Sequence, residues 1–146
     1  VLLLALVGVE VGMAGGRYVS FFNWGSRALG EPWALLGDSN LDWGQGLIEF
    51  AGWRKANAGE KVYLAYFGTA DPRAYGVENV IEAAPGFLLR PREVRVPEKG
   101  ALLAISATYL QGTYLPDELR KRYEVYRNAR PIAVLAGGSI LVFRVP

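Results

Sequence analysis

The chain has 146 residues, 51% hydrophobic and 21% charged, the length of one domain with one core and too apolar for disorder. Its net charge of +2 is too mild an excess to argue for nucleic acid as a partner. With no Cys and no His, thiol nucleophiles, thiolate zinc sites and the Ser-His-Asp triad are excluded, and proton transfer falls to carboxylates, Tyr or Lys.

Residues Val1 to Val9 read VLLLALVGV, an uninterrupted apolar run. A membrane-spanning helix needs about 20 such residues, and a signal peptide needs a charged region ahead of its apolar stretch. The run therefore reads as the end of a longer hydrophobic helix over residues 1–16, in a membrane or in a core, ahead of an α/β domain over residues 17–146. Arg17, Tyr18, Phe21, Phe22 and Trp24 follow, a mixture typical of a membrane interface. The later basic residues, among them Arg120, Lys121, Arg122, Arg127 and Arg130, read first as a solvated face carrying local ion pairs, with anionic headgroups as the alternative.

Pro32 introduces an apolar run, Trp33 to Gly37, that reads as a buried strand. Ser39-x-x-Asp42 resembles a capping box, so a helix is expected over Leu41 to Ala56 with Leu47, Ile48 and Ala51 on its buried face. Val62 to Phe67 is β-branched and aromatic, hence a strand. Asp71-Pro72 starts a short helix that Gly76 ends. The Pro-rich stretch from Pro85 to Pro97 suits a loop with a short edge strand. Ala101 to Ser106 is a second central strand. Pro116-Asp117-Glu118 opens a helix that buries Leu119, Tyr123 and Tyr126, with Arg127 and Arg130 near its end. Ser139 to Val145 is a closing strand. The alternation predicts an α/β fold, a small layered sheet of four or five mostly parallel strands with flanking helices, preceded by an apolar N-terminal helix.

Three polar strings follow the expected strands: Gly37 to Gln45, Gly68 to Gly76 and Ser106 to Gly112. In open α/β sheets ligands bind where loops converge at the carboxyl ends of strands. The candidate ligand-binding or signature residues are therefore Asp38, Asn40, Asp42, Trp43, Gln45, Thr69, Asp71, Thr108 and Gln111. Helix caps and turns explain the Asp, Ser and Asn among these strings equally well. Asp38, Asn40, Asp42 and Glu49 occupy places of a calcium-loop pattern, but Trp43 stands where that loop needs Gly. No metal, cofactor or catalytic residue is expected.

The segments Tyr18 to Asn23, Asp38-Ser39-Asn40-Leu41-Asp42-Trp43-Gly44-Gln45, Tyr66 to Pro72, Arg130-Pro131 and Gly138 to Ile140 resemble the tail of bacterial family-39-type glycosyltransferases. These are similar to dolichyl-phosphate-mannose protein mannosyltransferases. The resemblance runs from about Arg17 onward. It implies a non-catalytic, extracytoplasmic domain attached to a many-helix membrane body that takes sugar from a polyprenyl-phosphate carrier. The implied partners are the membrane or that body, and carbohydrate. Gly46 stands where members commonly carry Asp, and the early loop that holds the family's catalytic acids has no counterpart in this chain. Two other readings compete: a stand-alone α/β binding module or remnant, and a small hydrolase using strand-end carboxylates such as Asp38 and Asp42.

Overall fold

The computed structural model describes residues 2–15, 31–35, 41–85 and 93–146. Its first half holds α1 (Leu2–Ala14), α2 (Pro32–Leu35), α3 (Gly46–Ala56), β1 (Val62–Ala65), a 3-10 turn (Pro72–Tyr75) and β2 (Val80–Glu82). The second half holds β3 (Leu102–Ser106), α4 (Ala107–Leu110), α5 (Asp117–Arg127), β4 (Ala133–Leu135), a second 3-10 turn (Ala136–Gly138) and β5 (Ile140–Arg144).

The strands form one sheet in the order β2-β1-β3-β5-β4. β1 runs parallel to both β2 and β3, whereas β5 is antiparallel to both β3 and β4. The sheet is mixed, not mostly parallel as the alternation suggests. The cause lies at residues 136–139. Ala136, Gly137 and Gly138 all have positive φ (51°, 69° and 98°), which folds the chain back within one tight turn, and only antiparallel strands accept so short a link.

The central strands are buried on both faces, and their side chains alternate between two cores. Tyr63, Leu103, Ile105, Leu141 and Phe143 enter one core, against α4 and against Leu119, Tyr123 and Tyr126 of α5. Val62, Leu64, Leu102, Ala104 and Val142 enter the other, against Leu47, Phe50 and Ala51 of α3. Period-two alternation thus gives a helix–sheet–helix sandwich.

Several expected elements shift. Trp33 to Leu35 belongs to the short helix α2, not to a strand, because proline fits a helix's first turn. α3 begins at Gly46 and not at Leu41, since Asp42 turns its side chain back onto the loop amides. Ile48 is 66% exposed and Phe50 takes the buried place expected for it. The edge strand β2 precedes the Pro-rich stretch, of which residues 86–92 lie outside the described residues, as does the aromatic segment from Arg17 to Trp24.

Candidate functional site

Leu41 packs in one core and Leu47 in the other, so the loop between them crosses an edge of the sheet. The side it crosses is the carboxyl end of β1. The position a Cβ would take on Gly44 lies 3.1 Å from both Ala70 Cβ and Tyr75 Oη, in the segment after that strand. Gly44 has φ of +114°, open to glycine without strain.

Asp42 anchors the crossing. Its Oδ1 accepts the amides of Gly44 (2.8 Å) and Gly46 (3.1 Å), the latter an otherwise orphaned donor at the start of α3. Burial raises the Asp42 carboxyl above its ordinary value, and the Gly46 and Gly44 amides, with the nearby Tyr66 phenol, partly offset this. Tyr66, just after β1, is pushed up by its own burial and then by the nearby Asp42 charge. Ser139 closes the niche from the turn before β5: the position of a Gly46 Cβ would lie 2.7 Å from Asp42 Oδ2 and from Ser139 Oγ alike.

The other candidates divide between bracing and exposure. Gln45 braces the loop, its Nε2 donating to the Leu41 carbonyl (3.1 Å) while its Oε1 accepts the Trp43 amide (2.8 Å). Trp43 is 67% exposed on this braced loop. Asp71 caps the first 3-10 turn through the Arg73 amide (3.0 Å) and ion-pairs with the Arg73 side chain (2.9 Å). Thr69 is exposed beside it. Thr108 is buried in α4, and Gln111 Nε2 donates to the Trp33 carbonyl at 2.5 Å. Asp38 and Asn40 lie outside the described residues.

The second and third strings meet because β1 and β3 are parallel neighbours. The Phe67 amide donates to Ser106 Oγ (2.9 Å), and the Phe67 ring packs edge-on against Tyr109. The first string joins them through Gly44. Asp42, Trp43 and Gln45 therefore share one end of the sheet with Thr69, Asp71, Thr108 and Gln111. Most of these groups hold backbone together, and Trp43 and Thr69 are the ones presented to solvent.

Sequence reasoning passed over Tyr66, Ser139, Tyr75 and Ser106. Tyr66 reads as one more apolar strand residue and Ser139 as the start of a strand. Their signal was faint: both fall at strand ends within strings quoted above for other reasons. A separate cleft of about 530 Å³ opens between the first 3-10 turn and β2, lined by Asp71, Arg73, Val77, Asn79 and Glu82 among others. Of the described candidates only Asp71 reaches it. Its Asn79 sits at φ +55°, with its carbonyl held by the buried Arg54 guanidinium (3.0 Å). Among the described residues no group of three or more carboxylates gathers to hold a metal ion.

Comparison with protein-family models, curated proteins and solved structures finds no match for the chain.

Proposed function

We propose that the chain is a non-catalytic, extracytoplasmic domain of a membrane glycosyltransferase that takes sugar from a polyprenyl-phosphate carrier. The observation that carries this reading is the packing of the strings quoted for the resemblance. Gly44 of the Asp38 to Gln45 string lies against Ala70 of the Tyr66 to Pro72 string, and Ser139 of the Gly138 to Ile140 string closes over Gly46. Three strings far apart in sequence thus pack together at one end of the sheet.

α1 supports the membrane side of the reading. Leu2, Leu3, Leu4, Leu6, Val7, Val9, Val11 and Met13 are each more than half exposed. Glu10 is the one charged residue in this helix, and a helix otherwise apolar around its circumference gains little from water and calls for lipid or other helices around it. Its 13 residues extend about 20 Å, short of the hydrocarbon core of about 30 Å. No helix among the described residues is long and apolar enough to cross a membrane. In this reading α1 acts with the transmembrane body, while Trp43, exposed at the other candidates' end of the sheet, offers a ring face on which carbohydrate stacks.

The test compares the full chain with a form lacking residues 1–16 in flotation with phospholipid vesicles. The full chain should float with the vesicles or require detergent, and the shortened form should stay in the aqueous fraction with its fold intact. A full chain that remains a water-soluble monomer, with its first helix protected from protease, overturns the reading in favour of a stand-alone α/β module.

A further inference from the structure

At the crossing loop three oxygen atoms lack any hydrogen-bond partner: Asp42 Oδ2, Tyr66 Oη and Ser139 Oγ. The residues carrying them are only 8%, 5% and 1% exposed. They come from three separate parts of the chain: Tyr66 acts on the Asp42 carboxyl, and Ser139 Oγ and Asp42 Oδ2 each lie 2.7 Å from the position of a Gly46 Cβ. Buried polar atoms are nearly always paired, so three orphans in one niche call for a cause.

The groups facing Asp42 narrow that cause. Tyr66 approaches from the end of β1 without meeting hydrogen-bond geometry, with Tyr75 beyond it on the 3-10 turn. Ser139 faces it from the turn before β5. From its own loop and α3 come the amides of Gly44 and Gly46. Among the described residues no Lys or Arg acts on the carboxyl. A buried carboxylate with no cation is strongly disfavoured, and a proton removes that penalty. The protonated Oδ2 is also a donor, for which the nearby Tyr66 hydroxyl oxygen is an acceptor after a small adjustment, while Oδ1 still holds both glycine amides.

We infer that the loop from Leu41 to Gly46 is a proton-closed latch. As the neutral acid, Asp42 sits in the niche formed with Tyr66 and Ser139; as the carboxylate it favours turning out to water, which releases the Gly44 and Gly46 amides and moves the exposed Trp43. The direction follows from linkage. Seated in the niche, Asp42 has a pKa raised above 3.8, whereas swung into water it returns to the ordinary value. The closed form therefore binds the proton more tightly. The latch is tightest below the ordinary value, loosens as pH rises toward the closed-form value, and changes no further above it.

The experiment follows the full chain by NMR, reading the Asp42 carboxyl carbon together with hydrogen exchange at the Gly44 and Gly46 amides, corrected for intrinsic exchange. Asp42 should titrate above 3.8. Protection of both amides should fall by about tenfold per pH unit between the two values and then level off. Asp42→Asn should abolish the pH dependence of the two amides. Titration of Asp42 at or below 3.8 overturns the latch. So does titration in the raised range that leaves both protections unchanged, or persistence of their pH dependence in Asp42→Asn. Because the main readout is on the unaltered protein, the result stands even if the variant folds poorly.

Discussion

Gly46 shows how tightly the crossing loop is packed. Here any Cβ would come within 2.7 Å of two oxygen atoms, Asp42 Oδ2 and Ser139 Oγ. Both belong to buried residues, so with the loop closed neither can yield without leaving its niche. Gly46→Ala should therefore destabilise the fold by about 1–3 kcal/mol, the usual range for forcing an extra methyl into a packed site. Adding Ser139→Gly removes one of the two clashing atoms and should recover part of that loss. Urea denaturation of the single and double variants checks both expectations. Gly46→Ala at wild-type stability would mean that the niche is looser than its contacts indicate. Asp42 is the other residue on which the loop depends. A glycine without side chain and a carboxylate reaching back to two amides are two halves of one device, which lets the chain pass from one core to the other within a few residues.

At the scale of elements, Ser106 ties the ends of β1 and β3 together. Its hydroxyl accepts the Phe67 amide where the β1 ladder has stopped, and both groups are buried. Ser106→Ala leaves that amide with no acceptor and should cost about 1–3 kcal/mol, whereas Ser106→Thr, which keeps the hydroxyl, should cost less. Chemical denaturation compares the two. The central strands and the buried face of α5 were legible in the sequence, because runs such as Leu102 to Ser106 and the spacing of Leu119, Tyr123 and Tyr126 leave few alternatives. β2 and β4 were not. Each has three residues, too few for alternation to register; β2 is held by pairing with β1 earlier in the chain, and β4 by pairing with β5 across the turn at 136–139. The orientation of β5 was equally hidden, since it depends on Ala136 accepting φ of +51°, which nothing in that residue's chemistry announces. In the candidate site, Asp42 and Gln45 stood out as polar residues in an unusual string, while Tyr66 and Ser139 did not. A tyrosine at a strand end and a serine after two glycines become informative only when folding brings their oxygens to one carboxylate.

The whole molecule has two cores but one sheet, and this sets how it comes apart. β1, β3 and β5 each contribute side chains to both faces in strict alternation. Neither layer of helices can leave without exposing apolar surface on strands that also support the other layer. The α/β domain should therefore unfold in one cooperative step, with far-UV circular dichroism and tryptophan fluorescence reporting coincident transitions. Leu103 and Leu64 are both fully buried, one in each core. Leu103→Ala and Leu64→Ala should each lower stability by about 2–5 kcal/mol, the range for emptying a packed leucine site. Each should also shift the entire transition, not split it. A variant in which the two signals separate would show that one layer of helices holds without the other, and the shared strands would then couple the two faces less than their alternation implies. Coincident shifts of similar size from both faces would identify the central strands as the common support, on which the packing of the crossing loop at their carboxyl end also depends.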